Sequence, residues 1–146
     1  MINGLDTTFL VEVDILEHPN HQTARSQLVQ MTSSGHRFAL APQVLSEYIH
    51  VVTDPRRFEK PLSTAQSIDR AVHWWQSTEV TQVFPNAETV SLFKRWMITY
   101  HLGRKRILDT MLAATYLSNG VSAILSSNAR DYQVFNEIQC IHSANE

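Results

Sequence analysis

Two aspartates occupy positions where an ionised side chain requires a cation or a hydrogen-bond donor as its partner. Asp6 directly follows the short apolar run 2–5, and Asp109 lies in the first turn of a predicted helix beside Leu112 and Ala113. An ionised carboxylate on an apolar face costs free energy unless a cation or a donor pairs with it. Each position also has a structural explanation, because Asp is a good helix N-cap and a first-turn acid compensates the helix dipole. Both residues are therefore candidates for a site.

Further oxygen ligands come from a glutamate and from a polar segment. Glu47 falls at the edge of the apolar stripe of a predicted helix over 43–53, so it is either half-buried or a rim glutamate that reaches water. The segment SSNARD starts at Ser126 and contains Asn128 and Asp131, directly after a predicted strand. Clusters of this kind are also ordinary polar turns.

The elements that must position these side chains alternate along the chain. Strands are predicted at 2–5, 37–41, 79–84, 121–125 and 138–141, and helices at 7–16, 20–33, 43–53, 64–76, 87–100 and 107–118. This alternation predicts an α/β sandwich, with a parallel sheet that is covered on both faces.

The strand order of such a fold places the candidate residues together. Ligands of open parallel sheets bind beyond the carboxyl ends of the strands, where Asp6, Glu47, Asp109 and the segment 126–131 are expected. Carboxylates this close repel one another unless a cation lies among them, and oxygen-only ligands suit Mg²⁺ or Mn²⁺ better than zinc. A metal-activated water facing a phosphodiester is nuclease chemistry.

Composition bounds the class of protein. The chain has 146 residues, of which 43% are hydrophobic and 18% are charged, which favours one globular domain over 1–146 and excludes a disordered chain. The lone Cys140 excludes an internal disulfide and predicts a reducing compartment. The start is not typical of a signal peptide and no apolar run reaches 18 residues, so we expect a cytoplasmic protein without a membrane span.

The distribution of charge matters more than its sum. A net charge of −2 argues mildly against a nucleic-acid partner. However, no acid lies between Glu88 and Asp109, and five cations do: Lys94, Arg95, Arg104, Lys105 and Arg106. Arg56, Arg57 and Lys60 follow the Glu47 helix. Cations beside an acidic pocket suit a phosphate backbone, although a solvated basic loop has the same composition.

The ordered motifs carry a family resemblance that covers nearly the whole chain. They are LDTTFL, HPNHQTA, APQVLSEYIHVVTDPRRF, RILDTMLAATYLSNGV and ILSSNARDYQVF. In this set the sequence resembles PIN-domain ribonucleases of the VapC toxin type. The resemblance implies a PIN-like three-layer α/β/α sandwich with a central, mainly parallel sheet. It also implies an Mg²⁺- or Mn²⁺-dependent endoribonuclease acting on tRNA or rRNA, a cognate antitoxin that blocks the site, and a homodimer.

The resemblance also assigns roles to residues. Asp6 and Asp109 match the main metal ligands, and Glu47 would bind the metal or orient the attacking water. Many relatives have an acid where this chain has Asn128, which can still ligate through its carbonyl, and Asp131 would take over the electrostatic role. The remaining assignments are supporting roles for Thr7 and Ser126, where threonine is usual at the latter, and RNA contacts for Arg56, Arg57, Arg104, Lys105 and Arg106.

Other functions remain open at this point. Asn128 could mark a decayed site in a binding module of the same fold, and a nuclease without an antitoxin has the same motifs. A phosphatase or phosphotransfer domain is disfavoured because no Asp-x-Asp motif is present. Residues expected outside the chemistry are His18 and His21 as capping or surface groups, Cys140 in the core, and Trp74, Trp75 and Trp96 in packing or a dimer interface.

Overall fold

A five-stranded parallel sheet lies at the centre of the computed structural model, which describes residues 1–142. The strands are β1 Ile2–Leu5, β2 Arg37–Leu40, β3 Val80–Gln82, β4 Ala123–Ser126 and β5 Gln139–His142. Their order is β3-β2-β1-β4-β5, and every neighbouring pair is parallel. The chain moves outward from β1 in one direction and then returns to its other side, so the strand order reverses at the β1–β4 pair. This is the switch point where ligands of such sheets bind.

Six helices complete the three-layer α/β/α sandwich. They are α1 Thr7–Asp14, α2 His21–Ser33, α3 Pro42–Val52, α4 Thr64–Trp75, α5 Ala87–Thr99 and α6 Ile107–Ser118. Helix α1 contacts α2 and α3, α3 contacts α4, and α5 packs on α6. Because crossovers between parallel strands are right-handed, connections that run in opposite directions along the sheet lie on opposite faces. Single 3₁₀ turns occur at Arg104–Arg106 and Ala129–Asp131. No helix within residues 1–142 is long and apolar enough to cross a membrane.

A close approach joins α6 to the central strand. The Tyr116 ring packs against Gly4 so closely that a Cβ atom there would lie 2.6 Å from the ring. The Tyr116 hydroxyl donates a 2.5 Å hydrogen bond to the Leu5 carbonyl oxygen. These contacts hold the helix that carries Asp109 over the end of the strand that leads to Asp6.

A buried carboxylate joins three helices on the other face. Asp14 ends α1 with its side chain only 3% exposed, and it accepts hydrogen bonds from Tyr48, Arg70 and Trp74 at 2.7–2.8 Å. Three donors compensate the cost of removing this charge from water. Asp14 thereby fixes α3 and α4 relative to α1. Its network also gives Trp74 a packing role.

The predicted elements are all present, with three informative differences. The strand predicted over 79–84 is only Val80–Gln82, because it is the edge of the sheet. The fourth strand extends through Ser126, which was predicted to lie in the turn, because that residue pairs with His142 of β5. Cys140, predicted to be in the core, is only partly buried because β5 is the opposite edge strand.

Candidate active site

Asp6 is the buried centre of the site. It is 5% exposed and N-caps α1, since its Oδ1 accepts a 2.9 Å hydrogen bond from the Thr7 N–H. Its backbone N–H donates to the Leu125 carbonyl at 3.2 Å, so the β1–β4 pairing itself sets its position. Burial raises the pKa of the Asp6 carboxyl, and the hydrogen bonds it accepts from Ser126 and Thr7 oppose that shift. The two roles expected from the sequence, cap and site residue, therefore coincide.

Ser126 closes the edge between β1 and β4. Its hydroxyl donates a 2.6 Å hydrogen bond to Asp6 Oδ2 and accepts one of 2.9 Å from the Asn128 N–H. The Thr8 hydroxyl oxygen lies 3.2 Å from Ser126 Oγ and accepts a hydrogen bond from the Ser127 N–H. Every atom of this network has a polar partner, so the edge is preorganised around Asp6.

Asp109 faces Asp6 from the first turn of α6. It is half-buried, and Tyr132 O–H lies 3.4 Å from its Oδ1. Burial and the nearby charges of Asp6, Asp131 and Glu47 raise the pKa of Asp109 to about 6. The positive charge of Arg106 opposes this shift. Asp109 thus lies on the apolar helix face predicted from the sequence, and three other carboxylates approach it there.

Glu47 approaches from the second turn of α3. The residue as a whole is solvent-exposed, which corresponds to the rim position considered from its place on the helical wheel. Partial loss of solvent around the carboxyl and the negative charge of Asp6 raise its pKa. The Thr7 hydroxyl lies near enough to lower it, yet Thr7 Oγ1 is buried with no partner at normal hydrogen-bond geometry. A polar atom of this kind is available to a ligand.

The two candidates for the fourth acidic position differ in their surroundings. Asp131 is half-buried and acts on the pKa of Asp109, whereas Asn128 is exposed at the mouth of the site. The Arg106 guanidinium donates to the Asp131 backbone carbonyl and so fixes the 3₁₀ turn that carries it. The charge of Asp131 therefore acts on the same site as the carboxylates of Asp6, Glu47 and Asp109, and we call these four residues the carboxylate cluster. Asn128 contributes an uncharged amide at the rim of this cluster.

The donor set suits a hard divalent cation. The cluster contains only oxygen donors, neighbouring carboxylates raise the pKa of Glu47 and of Asp109, and the buried Thr7 hydroxyl beside them lacks a hydrogen-bond partner. Within the described residues 1–142, however, no three His, Cys, Asp or Glu side chains converge closely enough to hold one ion as they stand. Holding an ion would require side-chain rotation of the kind that Glu47, exposed on its helix, can make.

The comparisons with known proteins identify the family. A family model described as the PIN domain matches residues 5–137, which is most of the chain. The chain belongs to the PIN domain family. The sequence has no significant match among curated proteins.

Solved structures share this PIN fold over almost the whole chain. VapBC-1 from nontypeable Haemophilus influenzae is 18% identical with a TM-score of 0.69, covering 99% of this chain and 100% of that one. VapBC2 from Rickettsia felis, solved bound to a promoter DNA fragment, is 14% identical with a TM-score of 0.69, covering 97% and 98%. Mycobacterium tuberculosis VapC20, a Sarcin-Ricin loop cleaving toxin, is 18% identical with a TM-score of 0.62, covering 85% and 87%.

The cations of this PIN domain surround the carboxylates unevenly. Arg104 and Lys105 are exposed on the turn that precedes α6. Arg106 is half-buried, and its charge acts on Asp109. Arg57 lies 3.5 Å from Asp54 and lowers the pKa of Glu47, whereas Arg56 is 89% exposed.

Sequence reasoning left three polar contacts of the PIN domain out. The hydroxyl of Thr8 donates a hydrogen bond to Asp6 and that of Tyr132 donates one to Asp109. The Tyr116 hydroxyl joins α6 to β1 through its bond to the Leu5 carbonyl. The Asp-aromatic pair at 131–132 was part of the family resemblance, but nothing in it indicates that the phenol turns back toward Asp109. His18 accepts a 3.0 Å hydrogen bond from the Asn20 N–H just before α2, and His21 Nδ1 lies 3.0 Å from the Glu12 carbonyl oxygen of α1, so both rings have structural partners.

Proposed function

We propose that this PIN domain is a metal-dependent endoribonuclease of the VapC toxin type. The observation that carries the proposal is the meeting of Asp6, Glu47, Asp109 and Asp131 at the β1–β4 switch point, where the pKa of Asp6, Glu47 and Asp109 is raised. Evolution does not maintain such repulsion for stability, since it disfavours the folded state. A cation among the carboxylates removes that cost.

The residues divide the work between holding an ion and handling RNA. Asp6 and Asp109 would hold Mg²⁺ or Mn²⁺, with Glu47 binding directly or orienting water and Asn128 offering its carbonyl. When bound, the ion supplies charge stabilisation for the phosphate and a water of lowered pKa. Ser126 and Thr7 hold Asp6 in its orientation through the hydrogen bonds described above. Asp131 contributes negative charge beside Asp109, and the cations at 56–57 and 104–106 bind the phosphate backbone.

Cleavage by site variants tests this function. We expect wild-type protein to cleave RNA with Mg²⁺ or Mn²⁺, and Asp6→Asn or Asp109→Asn to lose at least about a hundredfold, because even partners of metal ligands contribute 10- to 100-fold. Asp69→Asn, a change of the same chemistry on the exposed face of α4, is the matched control. Cleavage of the same RNA, resolved on denaturing gels, measures all four proteins. Equal rates for the Asp6 and Asp109 variants and wild type would contradict the assignment.

The biological setting follows the same resemblance. VapBC complexes among the structural neighbours support a cognate antitoxin, and the name of VapC20 supports ribosomal RNA as one substrate class, with tRNA the other. We further propose a homodimer that acts in the cytoplasm. A short reading frame for a DNA-binding antitoxin next to this one, whose product abolishes cleavage, would support the toxin role. Its absence would favour a PIN nuclease that acts alone.

Asn128 supports one rival function, a PIN-fold binding module whose catalysis is lost. The exposed amide leaves the rim one charge short of many relatives. Titration with Mn²⁺ separates the two functions, because a decayed site would bind the ion no better than the Asp6→Asn variant does.

A further inference from the structure

A cleft extends from the carboxylates of the candidate active site toward the loop that follows α3. It has a volume of about 660 Å³ and begins at Thr8, Glu47 and Asn128. Its far end is formed by Arg57 and Phe58. Pockets for small organic ligands have volumes of about 300–1,000 Å³, so this cleft is large enough for one nucleotide. We call it the side cleft.

The side cleft is lined by polar groups together with an apolar patch that includes an aromatic ring. Val11 is 5% exposed, and Val51 and Phe58 are half-buried. A partly exposed ring beside aliphatic side chains offers a flat surface of the kind on which nucleobases stack.

One cation of the side cleft is placed to pair with a phosphate. The Arg57 side chain is 60% exposed, and its Nε lies 3.5 Å from Asp54 Oδ2. The same guanidinium lowers the pKa of Glu47, so its positive field reaches the carboxylate cluster. The carboxylates of Glu17 and Glu47 also line the cleft, so Arg57 is the group that would pair with an RNA phosphate there.

The loop that carries Arg57 and Phe58 is already held in place. The Glu17 carboxylate accepts hydrogen bonds from the Glu59 N–H at 2.8 Å and from the Lys60 N–H at 3.1 Å. The Asp54 carbonyl accepts from the Arg57 and Phe58 N–H groups at 3.1 and 3.3 Å. Because the loop is ordered before a ligand arrives, binding does not have to supply that conformational entropy.

We propose that the side cleft binds one unpaired nucleotide of the RNA next to the phosphodiester to be cleaved. Phe58 stacks on its base, Arg57 pairs with its phosphate, and Glu17 is a positioning residue that sets the loop. The inference rests on the proposed ribonuclease function and narrows its substrate to single-stranded segments, since a base inside a duplex cannot reach the ring.

Binding without cleavage tests the side cleft separately from catalysis. The probe is a fluorescein-labelled oligomer of eight uridines, measured by anisotropy in low salt with EDTA. We expect Phe58→Leu, which keeps apolar volume but removes the ring, to raise Kd by about 5- to 100-fold, the range of one base stack. Phe58→Trp restores or tightens binding. Arg57→Ala weakens binding and reduces the slope of log Kd against log salt by about one. Arg25→Ala, on the exposed face of α2, is the control.

The role of Glu17 has its own readout. Glu17→Ala weakens binding of the oligomer, and Glu17→Gln, which keeps an acceptor for one of the two N–H groups, recovers part of it. The double variant of Glu17→Ala with Phe58→Leu loses less affinity than the sum of the two single losses, because both changes remove the stacking contact of Phe58.

The outcomes for binding and cleavage are distinct. Unchanged Kd in Phe58→Leu and Arg57→Ala, or no oligomer binding by wild type, overturns the side cleft. The side cleft is also overturned if these variants bind the oligomer like wild type and lose affinity only for an antitoxin peptide. If wild type cleaves no RNA but Phe58→Leu still weakens binding, the ribonuclease function fails and the nucleotide cleft stands.

Discussion

Asp109 and Asp6 illustrate how the same residue type is treated differently within one site. Asp6 is almost fully buried but receives short hydrogen bonds from Ser126 and Thr7. Asp109 has only the distant Tyr132 hydroxyl and three negative neighbours, and its pKa rises to about 6. The charge of Asp109 therefore has a cost in the metal-free fold.

The raised pKa of Asp109 predicts a pH-dependent stability. Between its ordinary value of 3.8 and about 6, the folded chain holds a proton that the unfolded chain has released. Stability therefore decreases as pH rises through this window, and the deficit is complete above it. We expect Asp109→Asn to increase the free energy of unfolding in EDTA at pH 7.5 by about 1–2 kcal/mol, and by nothing at pH 3.5.

Urea denaturation at the two pH values measures this effect. Asp69→Asn on the exposed face of α4 serves as the control and should change little at either pH. A destabilised Asp109→Asn at pH 7.5 would show that Asp109 acts in the fold as a favourable anion instead.

At this scale the sequence could identify the acids but not their partners. Asp6 and Asp109 are recognisable because charge interrupts apolar patterns at defined positions. The hydrogen bond between Ser126 and Asp6 joins residues 120 positions apart, and no local pattern encodes it. The exposed state of Glu47 also depended on how far its helix lies from the sheet, which a helical wheel does not contain.

At the scale of elements, the contact between Gly4 and Tyr116 sets the distance between β1 and α6. We expect Gly4→Ala to destabilise the protein by about 1–3 kcal/mol, because its Cβ would lie 2.6 Å from the ring and the core must shift. Gly103→Ala is the matched control, since a Cβ there meets nothing within 4 Å.

Thermal and urea unfolding of both glycine variants check this prediction, and Mn²⁺ affinity adds a second readout. If α6 moves away from β1, Asp109 moves with it, so Gly4→Ala also weakens metal binding. Equal stability of the Gly4 and Gly103 variants would mean that the ring relaxes without cost.

The elements themselves were largely predictable because their signals are local. Apolar periodicity and helix caps predicted every strand and helix within a few residues. The ends that moved have tertiary contacts that no local pattern contains: three donors from α3 and α4 hold the carboxylate of Asp14 at the end of α1, and β4 continues to Ser126 because that residue pairs with His142 of β5. Such partners are visible only after folding.

At the scale of the whole molecule, the charge distribution decides how a chain of net charge −2 meets RNA. One bound divalent cation would bring the net charge to zero, and the arginines beside the site would then determine the local electrostatic potential. We expect the pair of changes Arg104→Ala and Lys105→Ala to reduce the slope of log Kd against log salt by about two, with little sequence dependence. Arg25→Ala, distant in the fold on α2, should leave the slope unchanged.

Anisotropy titrations of one labelled RNA at several salt concentrations measure these slopes. A slope that changes equally in the α2 variant would mean that binding follows total charge. A slope that changes in neither would place the backbone contacts at other cations.

The order of the strands has a consequence for how the protein is made. Domains begin to fold during synthesis, at about 5–20 residues per second, from the N-terminus. Asp6 emerges from the ribosome long before its partner strand β4 and the turn with Asp131 have been synthesised. The nascent chain therefore carries an incomplete carboxylate edge until β4 and that turn have emerged. If the site cleaves RNA, this topology delays the assembly of a nuclease beside the ribosome that produces it.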